Sequence, residues 1–333
     1  MTMKQQALLL FAVLIAFLSA PTAVVSAQPV DNSALAKLLD KHWAKAEEEQ
    51  IFFRKDPDAF RMNGELPDVS AEGRARRAAF NQDLLTELAQ IDVETLSSRD
   101  QVTFKLFQYE RQTEAASYLQ LDHFYPLHFY SNWFSYFAGA PNNMSFLSKQ
   151  DYENYLLSLA DFPRYNQQFI DNVEQAIEAG HVHYCDSFQG YEKRISKHIV
   201  ADVKDSVFYV PLATMPSKFD QASRERFKQQ VSKLIAEIVV PEYRKIEKFF
   251  KQRYMPACRD KVGITELAGG EEYYQYLIQY YTTTDYSAEQ IHQLGLDEVA
   301  RIRAEMLSLI KSTGFKGEFK EFVNFLRTDP RFY

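Results

Sequence analysis

Two cysteines, Cys185 and Cys258, are the only ones in 333 residues, which excludes a disulfide-dense scaffold and a four-thiolate metal site. Glycine is sparse at 11 residues, and no GxGxxG or Walker pattern occurs, so a phosphate-cradling nucleotide loop is not indicated. None of the seven histidines is followed by glutamate. An HExxH helix, which sets two imidazoles one turn apart on zinc beside a carboxylate base, therefore cannot be built. No serine stands in a GxSxG elbow, and no catalytic residue is assigned. Positive charge is also in deficit: the formal charge is −7, and the basic residues between Arg224 and Arg253 alternate with Glu225, Glu237, Glu242 and Glu247. That interleaving marks a solvated helix face and argues against a nucleic-acid partner.

The chain has one long hydrophobic run. Lys4 precedes an apolar stretch from Ala7 to Ala20, and Val25-Ser26-Ala27 supplies the small residues of a signal-peptidase site before Gln28. Residues 1–27 read as a signal peptide, which places the mature chain in the periplasm or outside the cell, with no membrane association after cleavage. Ser19 and Pro21 interrupt the run below the roughly 20 residues a spanning helix needs. Lys4 is the only charge before Gln28, so cleavage takes the formal charge from −7 to −8.

What remains, residues 28–333, has helical period almost throughout, and the expected fold is all-α, an elongated helical array. Asn32 to Phe53 reads as a first helix. Ser70 caps a second, with Leu84, Leu88 and Ile91 on its apolar side. A third runs from Ser98 to Leu119, with Val102, Leu106 and Tyr109 as its expected stripe. Ser148 and Asp151 form a capping box opening a helix that Gly180 closes, with Pro163 expected to bend or break it. Pro241 should kink or restart the helix that begins near Gln221. Val207 to Pro211 is the best strand candidate. Ser287 and Gln290 have capping-box spacing at the start of a helix that Gly314 can close, and Gly295 inside it predicts close approach of another helix.

Chemistry-bearing residues are few. On an extended segment His181, His183 and Cys185 share one face and could ligate a metal; a polar turn near the negative end of the preceding helix is the plainer reading. Cys185 and Cys258 either bridge or stay as two buried thiols, and their separation does not decide between these. Tyr273, Tyr274, Thr283, Thr284 and His292 are candidates for a polar cleft wall. Gly269-Gly270 reads as a helix-linking turn rather than a ligand loop. The 20 Tyr and 26 Phe are spread through the helices, which assigns most of them to core and cleft lining.

The segments Leu66 to Ser70, Arg74 to Ala79, Tyr254-Met255-Pro256, Gly269 to Tyr274, Thr282 to Thr284, Glu289 to His292 and Phe322 to Tyr333 together resemble the first half of a bacterial family known as domain-of-unknown-function family 885. The resemblance implies a helical, zincin-like zinc peptidase whose His-Glu and Pro-Gly-His motifs lie in a second half, beyond Tyr333. On that reading this chain is an exported amino-terminal portion, inactive alone. It needs no cofactor itself, zinc being expected only with the missing half, and its partners are that half and a peptide substrate. A self-sufficient periplasmic helical protein that binds a peptide or other ligand is the alternative. A non-functional truncated product is the third.

Overall fold

The computed structural model describes residues 33–49, 52–56, 59–62, 64–128 and 130–333. The expected signal segment, with Ala27 and Gln28, lies outside them. Among the described residues no helix is long and apolar enough to cross a membrane.

The fold is mainly helical. Helix α1 (Ser33–Glu48) is shorter than the sequence predicts: it stops ahead of an antiparallel hairpin, β1 (Phe52–Asp56) and β2 (Ala59–Met62). The Phe52-Phe53 pair extends the chain instead of continuing the helix, as aromatic residues tend to do. Helix α2 (Ala71–Leu88) starts where Ser70 accepts the Gly73 amide at 3.1 Å. Glycine is required at 73, because a Cβ would lie 2.4 Å from the Asp68 carbonyl oxygen. Helix α3 (Ser98–Ser117) packs on α2. Leu35 and Leu38 of α1, Leu84 and Leu88 of α2, and Phe104 and Phe107 of α3 form a small core with Leu96.

The expected stripe of α3 is corrected here. Val102, Leu106 and Tyr109 face outward, and the buried positions are Asp100, Phe104, Phe107 and Arg111. Both sets have helical spacing. The larger rings of Phe104 and Phe107 remove more apolar area from water and take the inner face.

The main core is built around α5 (Lys149–Glu178), flanked by α4 (Trp133–Asn143), α6 (Gln221–Leu234) and α7 (Val240–Phe249). The Ser148–Asp151 capping box forms. Pro163 does not break α5, which runs 30 residues through it. Phe162, Tyr165 and Asn166 are buried around it, and that packing outweighs the roughly 3 kcal/mol an internal proline costs. Two π-helical turns, Ile235–Val239 and Phe250–Tyr254, stand just before Pro241 and Pro256. The widened i→i+5 turn accommodates each proline without ending the helical path.

Val207 to Pro211 is not a strand. Val207–Tyr209 is a 3₁₀ turn leading into a helical turn at Val210–Ala213. Its carbonyls are taken by core tyrosines: Tyr155 Oη donates to Phe208 O at 2.7 Å, and Tyr152 Oη to Pro211 O at 2.8 Å. A sheet partner is therefore unnecessary for these backbone groups.

Helices α8 (Gly270–Thr282), α9 (Ala288–Ser312) and α10 (Phe319–Thr328) complete the chain. The Ser287–Gln290 capping box forms, and Gly314 follows α9 at φ 75°. Gly295 has no atom within 4 Å of an added Cβ, so the helix expected to approach it is not among the described residues. Only Ile310 of α9 is buried; Leu294, Val299, Ile302, Met306 and Leu309 are exposed.

Candidate functional site

Tyr273, Tyr276 and Tyr280 recur at i, i+3 and i+7 and so form one face of α8. Their rings follow one another at 6.1 and 6.0 Å, and Tyr125 extends the row with a centroid 6.0 Å from Tyr273. Opposite stands α3 with Tyr109, Glu110, Glu114 and Ser117, and Asp122 follows from the turn after it. Between the two helices lies an open cleft of about 680 Å³, lined among others by Asp122, Tyr276 and Tyr280.

The placement of α8 is fixed at its first turn. Gly269 adopts φ 69°, and a Cβ on Gly270 would sit 1.9 Å from the Ile264 carbonyl oxygen. The two glycines thus allow backbone to meet backbone, as the turn reading predicts. Ahead of them Cys185 and Cys258 form a disulfide, and Tyr184 bridges to Arg259 beside it. Arg259 then donates to the Val182, Lys261 and Gly263 carbonyls at 2.8, 2.7 and 2.5 Å. Bridge and guanidinium together hold the loop that leads into α8.

Beside the cleft, Tyr273 donates to Asp122 Oδ1 at 2.6 Å. Burial pushes the Asp122 carboxyl above its usual range, and the tyrosine bond opposes that shift. The Tyr273 phenol is raised well beyond its ordinary value, by burial first and then by its bond to Asp122. Tyr276 is pushed up to about 12, by burial and then by the Asp122 charge.

The His181, His183 and Cys185 group does not fit a metal. The Cys185 sulfur is committed to Cys258, and the two rings are held by different aromatic partners. His181 stacks on Phe124 at 5.1 Å, whereas His183 lies between Tyr125 at 5.1 Å and Phe188 at 5.4 Å. Burial, then the neighbouring His128 and Arg259, push the His183 imidazole down to about 4. Among the described residues no group of three His, Cys, Asp or Glu is arranged around a common metal position. The zinc that the sequence resemblance implies has no ligand set in these residues.

The remaining cleft candidates are dispersed. Tyr273 reaches the cleft through its bond to Asp122, while Tyr274 is largely exposed and does not line it. Thr283 ends α8 in the left-handed region at φ 56°, and Thr282 and Thr284 share a hydroxyl contact at 2.7 Å. These threonines close a helix, and neither they nor exposed His292 line the cleft. Sequence reasoning missed Glu110, Glu114, Asp122, Tyr276 and Tyr280. The i, i+3, i+7 tyrosines were a readable signal; the acidic side across from them was not.

A crystal structure described as "the putative lipoprotein from Colwellia psychrerythraea" shares the fold with a TM-score of 0.70 at 19% identity. The match covers 90% of this chain and 55% of that one, so this chain spans little more than half of that relative's length. No curated protein matches the sequence. The family described as "Bacterial protein of unknown function (DUF885)" matches residues 53–333, and the chain belongs to that family.

Proposed function

We infer that this chain is the cleft-bearing helical portion of an exported peptidase-like protein, and that it works against a second polypeptide portion that carries the metal chemistry. The observation that carries the reading is the outer face of α9, where Val299 and Leu309 are each 66% exposed and Leu294 is 51% exposed. Phe319, Phe322 and Phe325 of α10 are only half-buried. So many exposed large apolar side chains on one helix point to an interaction site. The Colwellia relative is long enough to contain such a further portion, and its description as a lipoprotein agrees with export. Zinc-dependent peptide cleavage by this chain alone is not expected, since none of its histidines is followed by the glutamate that such a site needs.

The test is direct. The purified chain, supplied with zinc, should cleave no peptide and should bind a hydrophobic dye. Stoichiometric zinc with chelator-sensitive cleavage would overturn the reading. A second reading, a self-sufficient ligand-binding protein, is favoured by the cleft between α3 and α8. A monodisperse chain that binds no dye but does bind a ligand there would select it.

A further inference from the structure

The cleft between α3 and α8 has an unbalanced charge. Glu114 is already neutralised, because Arg111 pairs with it and Tyr118 donates to it at 2.8 Å. Arg111 is itself buried and fixed by Asn81 Oδ1 at 3.2 Å. Glu110 has neither an ion pair nor a hydrogen bond among the described residues, and Asp122 accepts only the uncharged Tyr273 hydroxyl. Two carboxylates without a cation thus line one concavity with the rings of Tyr276 and Tyr280.

That combination selects by chemistry. An anion meets two uncompensated negative charges. A small metal ion finds no third ligand. An organic cation gains from both the carboxylates and the electron-rich ring faces. A planar guanidinium stacks on a ring while keeping its edge for a carboxylate, so arginine suits the site better than lysine. At about 680 Å³ the cleft has room for a side chain and the backbone on either side of it.

We propose that the α3–α8 cleft binds a peptide through a basic side chain, with arginine preferred, the cation being drawn by the acidic lining of Glu110 and Asp122 and packing against Tyr276 and Tyr280. This site is formed by the present chain alone and does not depend on the second polypeptide portion inferred above.

The experiment uses the full chain and N-acetylated, C-amidated Ala-Arg-Ala, with Ala-norleucine-Ala as the uncharged control, so the side chain carries the only charge. Binding is read by calorimetry. The arginine peptide should bind saturably and weaken as salt rises, and the norleucine peptide should bind at least about fivefold more weakly, the loss of one ring–cation contact of about 1 kcal/mol. Glu110→Gln and Tyr280→Leu should each weaken the arginine peptide by a similar factor and leave the melting temperature unchanged, since both side chains are exposed. If Tyr280→Leu unfolds the chain, Glu110→Gln decides alone. Equal binding of both peptides, no saturable binding of either, or indifference to Glu110→Gln would each overturn the assignment. Peptide binding that survives while dye binding is absent would refute the two-portion reading and leave this one standing.

Discussion

Tyr273 and Asp122, 151 residues apart in sequence, are joined by a 2.6 Å hydrogen bond that ties α8 to the turn after α3. Asp122 also lines the cleft between α3 and α8, so the bond joins α8 to one of the cleft's acidic residues. Tyr273→Phe should cost about 1–2 kcal/mol, the range for a hydrogen bond to a charged acceptor in a partly wet site. It should also raise the Asp122 carboxyl further, because the group that opposes the effect of burial is gone. Urea unfolding and an NMR titration of that carboxyl measure the two effects; an unchanged Asp122 titration would show that the bond does not form in solution.

The Cys185–Cys258 bridge closes a loop across a sequence separation of 73 residues. A loop of that length restricts the unfolded chain enough to contribute about 4 kcal/mol. Replacing both cysteines by serine should lower stability by most of that amount and loosen the loop ahead of α8. Loss of less than about 1 kcal/mol would mean that the bridge is not formed or that the unfolded chain is already compact.

Two glycine substitutions should act in opposite directions. Gly270→Ala drives a Cβ into the Ile264 carbonyl and should destabilise by more than about 1 kcal/mol. Gly295→Ala meets open space inside α9 and should stabilise this chain by up to about 1 kcal/mol. Thermal melts of the pair test both. If a second portion approaches α9 closely, Gly295→Ala should weaken that association.

Acid should destabilise the fold through its buried histidines. Burial pushes both His183 and His198 down to about 4, aided by His128 and Arg259 for the first and by Lys197 for the second. In the unfolded chain each titrates near 6.5. Between those values the unfolded state holds more protons, so the contribution present above pH 6.5 is lost progressively as pH falls towards 4. His198→Gln, which removes a ring lying tilted 4.6 Å from that of Tyr243, should flatten that part of the melting-temperature profile. An equally steep profile in the variant would assign the effect elsewhere.

Local signals in the sequence read well. The Ser148–Asp151 and Ser287–Gln290 boxes, and the glycines at 180 and 314, mark helix ends that the fold keeps. Decisions made by tertiary contacts did not read. Val207 to Pro211 has strand composition, yet tyrosine hydroxyls from α5 take up its carbonyls. On α3 two apolar faces compete, and only the packing of Phe104 and Phe107 against α1 and α2 shows which is inside. The cleft was hidden for a related reason. Its acidic wall and its tyrosine wall are separated by more than 150 residues, and the tyrosine spacing alone does not show what faces it.

We infer that the apolar side chains of α9 are covered by a further portion of the same protein. Met306, at 40% exposure, reports on it. The DNA beyond the codon for Tyr333 should be read, the longer chain expressed, and oxidation of Met306 by hydroxyl-radical footprinting compared in the two forms. Rapid oxidation is expected in the present chain and strong protection in the longer one. Equal oxidation in both, or the lack of any coding sequence for a further portion, would contradict it.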